Sequence, residues 1–320
     1  MKLEAFQTAL NQWGRDRVPF LFLADFEMQC LEAWPLHTLP ANLSFAIDAK
    51  PSTDLRPVAG STLGLHPIPY DDYQKKFDFV QRHIQLGHSY LTNLTIKTKI
   101  ELTESLEDLF VWSRAKYKLC WKDRFLVFSP ETFIQIKNEK IYSFPMKGTI
   151  DATVSDAEKQ ILADTKELAE HVTIVDLIRN DLSKFATNVQ VDRFRYVEPV
   201  VAQQKKLLQV SSQVSGDLPT GYLSELGTIL IALLPAGSVS GAPKKRTLEI
   251  IREAEAEKRG YYTGVFGCFD GRDLDSAVMI RFIEQDGANF YYRSGGGITA
   301  QSVCEKEYQE AIDKIYVPVY

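Results

Sequence analysis

The sequence predicts an α+β fold, antiparallel strands with helices on their outer faces, on three observations. Stretches with helical apolar spacing and stretches of alternating or β-favouring residues are mixed along the chain. No short-period repeat or low-complexity tract appears, which sets a solenoid aside. With 320 residues, 45% of them hydrophobic and 25% charged, the chain can bury a large core as one big domain or two closely joined halves.

The elements follow in order. Leu3, Phe6, Leu10 and Trp13 recur at helical spacing before Gly14, so a short amphipathic helix ending at the glycine is expected. Val18 to Phe26 reads as a buried strand. Pro51 to Pro69 is rich in Pro, Gly and Ser and marks a linker, dividing a short N-terminal section, 1–60, from a main body, 61–320. Tyr73 to Leu86 is helix-like, and Ser89 to Ile100, Arg124 to Ile136 and Ile141 to Phe144 read as strands. From Asp156 to Leu182, Leu168, Val172, Val175 and Ile178 form a helical stripe. Gly227 to Leu234 suggests a further buried helix. Strands are expected around Gly264 to Phe269, Ala277 to Glu284 and Asn289 to Arg293, then a last helix from about Ser302 to Tyr316.

The charge balance narrows the function. A net charge of -5 and a pI near 5.7 oppose general attraction to nucleic acid or acidic membranes, since both need a basic surface. Small molecules or proteins are the expected partners. Cys30, Cys120, Cys268 and Cys304 show no CxxC pair, so neither a zinc site nor a disulfide framework is indicated, and a reducing cytoplasm is the natural location. The apolar stretch Val18 to Ala24 falls short of the roughly 20 residues a membrane span requires, so no membrane association is expected.

Three constellations could support chemistry. Glu307, Glu310 and Lys314 fall at i, i+3 and i+7 in the last helix, beside an apolar stripe of Tyr308, Ala311, Ile312 and Ile315. Glu167 and Glu170 repeat the i, i+3 spacing in the earlier helix, followed by His171. Two helices that each present two carboxylates could hold a hard divalent cation, and Mg²⁺ suits such oxygen ligands; solvated glutamates are the commoner case. Arg293-Ser294-Gly295-Gly296-Gly297-Ile298 reads as a strand end, a glycine run and a helix start, where backbone N–H groups could meet an anion. It equally reads as a plain turn. Neither it nor Gly237 to Lys244 matches a nucleotide-binding loop. Lys147, beside Gly148 after a strand, could serve as a nucleophile if desolvation or a neighbouring cation lowered its pKa. Glu131 in Ser129-Pro130-Glu131-Thr132-Phe133 is a turn carboxylate that could act as a general acid if buried.

Together and in this order, these segments closely resemble the chorismate-utilising enzymes, which include the large subunits of anthranilate and aminodeoxychorismate synthases. The resemblance runs from about Tyr70 to the C-terminus. It rests on SPETF at 129–133, PMKGT at 145–149, ELAEHVTIVDLIRND at 167–181, GSVSGAPK at 237–244, RGYYTG at 259–264, Ile280-Arg281, and Ser294 through Glu310. It implies two orthogonally packed antiparallel sheets flanked by helices, with chorismate and Mg²⁺ in a cleft. Glu170 and Glu310 are implied as metal ligands, with Glu167 and Glu307 nearby or water-linked. Tyr262 and Arg281 are implied to bind a substrate carboxylate, helped by the backbone of Gly295, Gly296 and Gly297 and by Lys314. His171 is implied beside the reacting ring, and Thr149 and Lys244 lie in motifs that contact substrate.

Within the family, lysine at position 147 is similar to the aminodeoxychorismate synthase branch, where anthranilate synthases usually have alanine. The implied reaction is amination of chorismate through a covalent Lys147 adduct, with Glu131 assisting departure of the C4 hydroxyl. The alternatives are anthranilate formation or a non-catalytic chorismate-binding subunit. Leu91 stands where water-adding relatives place a lysine base, which argues against hydroxylation. Gly267-Cys268-Phe269-Asp270-Gly271 is no amidotransferase elbow, so ammonia is expected from solution or from a glutamine amidotransferase subunit. A tryptophan-binding regulatory pocket is expected to be reduced or absent, and the product to be aminodeoxychorismate rather than 4-aminobenzoate.

Overall fold

The computed structural model describes residues 1–48, 63–202 and 205–318. Its helices are α1 (Leu3–Arg15), α2 (Tyr70–Gln85), α3 (Leu106–Trp112), α4 (Ala157–Ala163), α5 (Thr165–Leu182), α6 (Leu226–Leu233), α7 (Lys244–Glu255) and α8 (Cys304–Asp313). The strands are β1 (Phe20–Ala24), β2 (Leu31–Pro35), β3 (Leu43–Ile47), β4 (Gly64–His66), β5 (Leu91–Glu101), β6 (Tyr117–Trp121), β7 (Phe125–Ser129), β8 (Thr132–Lys137) and β9 (Lys140–Ser143). They continue with β10 (Met146–Asp151), β11 (Thr187–Ala202), β12 (Lys205–Asp217), β13 (Gly241–Ala242), β14 (Val265–Phe269), β15 (Leu274–Val278), β16 (Phe282–Asp286) and β17 (Asn289–Ile298).

Two antiparallel sheets result. One runs β10-β12-β9-β8-β15-β14-β1-β2, with β11 also paired to β12; the other runs β13-β5-β17-β16-β7-β6-β3, with β4 also paired to β5. The N-terminal strands join both, since β1 lies between β14 and β2 and β3 pairs with β6. Alternation distributes the side chains among layers. In β7, Phe125 and Val127 join a cluster that also holds Leu21, Leu23 and Phe266 from the opposite sheet, while Leu126 and Phe128 face a cluster with Leu106 and Leu109 of α3. Helices α1, α5 and α6 cover the outer face of the first sheet, and α2, α7 and α8 that of the second. The order is therefore helices, sheet, sheet, helices.

Two runs expected as single strands each change sheet midway. Arg124 to Ile136 divides into β7 of the second sheet and β8 of the first; Ala277 to Glu284 divides between β15 of the first and β16 of the second. Both crossings meet, because Val278 N donates to Glu131 O at 3.1 Å and Phe128 N donates to Arg281 O at 3.0 Å. Residues 130–131 and 279–281 thus become one paired corner between the sheets.

Other expectations change in instructive ways. Helix α1 passes through Gly14 instead of stopping there: a Cβ at Gly14 would stand 2.1 Å from Leu223 O, so the glycine permits close packing on the turn before α6. The segment from Asp156 to Leu182 is two helices, the second started by Asp164, whose Oδ1 accepts from Glu167 N at 2.9 Å. Its apolar stripe does not all face the core. Leu168 and Val172 are exposed, while Glu170, His171, Ile174 and Val175 are buried. The glycine run is not a loop before a helix. Gly295, Gly296 and Gly297 lie inside β17, paired with Thr95, Leu94 and Asn93 of β5, and α8 starts only at Cys304.

Residues 222–239 are apolar enough in composition to suggest a membrane span, yet they comprise a 3-10 turn, the eight-residue α6 and a second short turn, packed into the core. All four cysteines are free. Of the expected linker, Pro51 to Gly60 and its boundary at residue 60 lie outside the described residues, and Gly64 to His66 form β4.

Candidate active site

The paired corner forms one wall of a cavity of about 550 Å³. Around it the fold gathers Glu131, Lys147, Thr149, Glu167, Glu170, Tyr262, Arg281, Gly295, Gly296, Gly297, Glu310 and Lys314, all expected from the sequence. Asn93, Ser238, Gln209, Asp313 and Tyr316 also line it. The volume suits a ligand of small-metabolite size.

Glu131 occupies the corner after β7, its N–H donating to Ser129 Oγ at 3.1 Å and its Oε1 accepting from Ser238 Oγ. Burial pushes its carboxyl above the ordinary glutamate range, although the Ser238 bond and the cations Lys147, Arg281 and Lys314 pull the other way. Such a carboxyl is better able to hold a proton near neutrality. Arg281 occupies the other crossing with a left-handed backbone, φ 54°. Its guanidinium lies 5.1 Å from the Tyr316 ring centre, and its buried Nε has no hydrogen-bond partner among the described residues. An N–H left so in a cavity wall is a ready donor to a carboxylate. Tyr262 is buried nearby, its hydroxyl pushed up to about 12 by desolvation and thus neutral.

Lys147 sits where β10 bulges: Met146 pairs with Ser211 and Thr149 with Gln209, leaving Lys147 and Gly148 opposite a single step of β12. Gly148 takes φ 84°, a conformation favouring glycine. The bulge directs Lys147 Nζ to Glu170 Oε2 at 3.1 Å. Here the chemistry departs from expectation. Desolvation is the largest influence and lowers the lysine pKa, but Glu170, Glu167 and Glu310 and the Glu170 hydrogen bond together reverse it, leaving the pKa above its ordinary value. In this arrangement Lys147 is an ammonium ion.

The three glycines explain how the glutamates converge. Successive Cβ positions on a strand point to opposite faces. At Gly296 a Cβ would lie 3.4 Å from Glu310 Oε1, 3.6 Å from Glu307 Oε2 and 3.6 Å from Lys314 Nζ; at Gly297 it would lie 2.9 Å from Lys147 Nζ and 3.4 Å from Glu170 Oε2. The bare strand thus leaves room for the carboxylates of α8 beside Gly296 and for Glu170 of α5 beside Gly297. None of the three glycines has a positive φ, so Gly295 and Gly297 are required for space and not for backbone freedom, while a Cβ at Gly296 would make only ordinary contacts. The Gly295 carbonyl accepts from Lys314 Nζ at 2.9 Å, and Lys314 also pairs with Glu310 at 2.6 Å. Desolvation lowers the Lys314 pKa.

These donors are hard oxygens on two helices, the chemistry a Mg²⁺ ion selects. Glu170 pairs with Lys147 and Glu310 with Lys314, and among the described residues no three acidic, His or Cys groups stand close enough together to hold a metal as arranged. The donor set fits the ion, with the carboxylates having to turn from their lysines toward it.

Three expected residues stand outside the lining. Glu307 is buried behind Gly296. His171 is buried, its Nε2 2.7 Å from Ser212 Oγ and its ring against Phe194; burial brings its pKa down to about 4, so it is neutral at pH 7. Lys244 bonds Asp181 Oδ2 at 2.6 Å and Leu233 O at 3.1 Å, joining the start of α7 to the ends of α5 and α6. Sequence reasoning passed over Asn93 and Ser238. Ser238 sits in the GSVSGAPK motif at 237–244, from which only Lys244 was singled out, and Asn93 is two residues beyond Leu91 on the same strand face, a signal that period-two reading could have used.

A fold of two antiparallel sheets with an acidic, lysine-bearing cavity at their common corner defines an enzyme-like small-molecule site. The chain belongs to the chorismate-binding enzyme family, whose model matches residues 42–319. It is 50% identical to an uncharacterized PabA-like protein of Pasteurella multocida over the whole of both chains. It is 31% identical to aminodeoxychorismate synthase component 1 of Bacillus subtilis, covering 92% of this chain and 62% of that longer one. Among solved structures, anthranilate synthase component I of Streptococcus pneumoniae superposes with a TM-score of 0.65 at 29% identity, over 80% of this chain and 59% of that one. The menaquinone-specific isochorismate synthase MenF of Escherichia coli shares the fold, with a TM-score of 0.75 at 16% identity over 98% and 81% of the two chains.

Proposed function

We propose that this protein is an aminodeoxychorismate synthase component I, which converts chorismate and ammonia to 4-amino-4-deoxychorismate and water in the route to 4-aminobenzoate and folate. The observation that supports this most is Lys147, aimed by its bulge into the same cavity that Glu131 and Arg281 line. Arg281 and Tyr262 hold a substrate carboxylate. Lys147, once separated from Glu170 and deprotonated, adds through its amine to ring C2; the ring double bonds shift and the C4 hydroxyl leaves as water with the proton of Glu131. Ammonia then adds at C4, the double bonds shift back, and the lysine amine is expelled. The covalent step divides one difficult displacement into two easier ones. Mg²⁺, held by Glu170 and Glu310 with Glu167 and Glu307 close by, would neutralise substrate carboxylate charge when bound. Leu91 offers no base for water. Ammonia comes from solution or from a separate glutamine amidotransferase, in a cytoplasmic setting consistent with four free cysteines.

The test is incubation with chorismate, Mg²⁺ and an ammonium salt. Aminodeoxychorismate by mass spectrometry, with a mass adduct on Lys147, is the expected result. Anthranilate fluorescence without any added lyase would replace the assignment by anthranilate synthase, and binding without turnover by a non-catalytic chorismate-binding subunit.

A further inference from the structure

Asn93 lines the cavity, and its buried Oδ1 has no hydrogen-bond partner among the described residues. Buried carbonyl oxygens nearly always accept a bond, and one left open in a binding site points to a ligand that supplies the donor. The residue is firmly set. Its N–H donates to Ser240 O at 2.9 Å, and its backbone carbonyl accepts from Arg259 Nη2 at 2.7 Å. That guanidinium is itself fixed by Glu255, at 2.6 Å, in a pair almost wholly shielded from solvent.

Register decides which way the side chain faces. Asn93 stands opposite Gly297, and directly opposed residues of an antiparallel pair share a face with Cβ atoms about 4.5–5.5 Å apart. The Cβ position of Gly297 is the one 2.9 Å from Lys147 Nζ. Because glycine leaves that position empty, the Asn93 amide overlooks the space in front of the lysine. Leu91, on the same face, gives only carbon to it: its Cδ1 is 2.9 Å from the same point.

We infer that Asn93 is the acceptor for the incoming ammonia, its Oδ1 taking one N–H and so directing the nitrogen lone pair toward the substrate ring. The inference rests on the amination reading. A neutral amide oxygen accepts from an N–H yet has no basicity with which to activate water, so it favours a nucleophile that is already neutral and strong. Arg259 and Glu255 act behind it as positioning residues.

Initial rates would be measured for wild type, Asn93→Ala and Asn93→Ser, against ammonium at saturating chorismate and against chorismate at saturating ammonium. Loss of one neutral hydrogen bond predicts about a tenfold rise in the KM for ammonia with Ala. The KM for chorismate and the melting temperature should stay near wild type. Ser, with a shorter acceptor, should fall between. An unchanged ammonia KM in either folded variant overturns the inference, as does an equal rise in both KM values; if Ala fails to fold, Ser decides alone. A wild-type enzyme that forms no aminated product at any ammonium concentration overturns the amination reading itself, and this inference with it.

Discussion

At the scale of single residues, the site is governed by which charges are shielded from water and what stands beside them. Lys147→Ala should abolish the amination, with turnover falling at least a hundredfold and no mass adduct forming, while chorismate still protects the protein from thermal unfolding. Glu131 and His171 make opposite contributions to stability with pH. The folded pKa of Glu131 is raised, so its stabilising term is fully present below the ordinary glutamate range and is lost as pH rises through the folded value. Glu131→Gln should therefore gain stability over wild type at pH 8 and none at pH 4, measured by urea unfolding, while losing turnover. His171 has its pKa lowered from 6.5 to about 4, so its term is present above 6.5 and is lost as pH falls toward 4. The shift corresponds to roughly 3 kcal/mol at most. His171→Gln should flatten the fall in wild-type stability between pH 6.5 and 4.

At the scale of elements, β17 shows how bare backbone in a strand leaves room for charged side chains from neighbouring helices. Gly295 and Gly297 differ in what they meet. A Cβ at Gly295 would stand 2.3 Å from the backbone oxygen of Leu94, so Gly295→Ala must push β5 and β17 apart and should cost about 1–3 kcal/mol in stability. A Cβ at Gly297 would meet the ends of the Leu91, Lys147 and Glu170 side chains and no backbone atom among its three nearest neighbours, and side-chain ends can move. Gly297→Ala should then leave the melting temperature within a few degrees of wild type and reduce turnover at least tenfold, because Lys147 is displaced. The glycine run itself was plain in the sequence. Its role was not, since a triplet of glycines is compatible with a turn, a helix start or a strand, and only pairing with β5 selects the last. Likewise the stripe Leu168, Val172, Val175, Ile178 gave α5 correctly as a helix, but the face it buries combines Ile174 and Val175 with the polar Glu170 and His171 and leaves Leu168 and Val172 exposed.

At the scale of the whole molecule, the two sheets share one interior, and the site lies where two strands cross between them. Phe266→Ala, at a fully buried position between the sheets, should lower stability by about 3–5 kcal/mol. Far-ultraviolet circular dichroism and tryptophan fluorescence should report the same midpoint in denaturant. Metal removal tests the paired helices: excess EDTA should abolish amination and added Mg²⁺ restore it, whereas retention of full activity would remove the four glutamates from the proposed site.

What the sequence determined by itself was the kind of fold, the helices and most strands, and the residue types gathered at the site, because apolar periodicity and ordered motifs are local or one-dimensional signals. What only the tertiary structure decided was how they meet. The crossings that bring Glu131 and Arg281 to one corner split strands that read as continuous, since β-favouring residues persist through both halves and nothing local marks a change of sheet. The charge state of Lys147 depended on Glu170, Glu167 and Glu310 reaching it from two helices, and Asn93 became visible only through its register with Gly297. Electrostatics and cross-strand pairing act through space between residues far apart in the chain, and spacing along the sequence does not encode them.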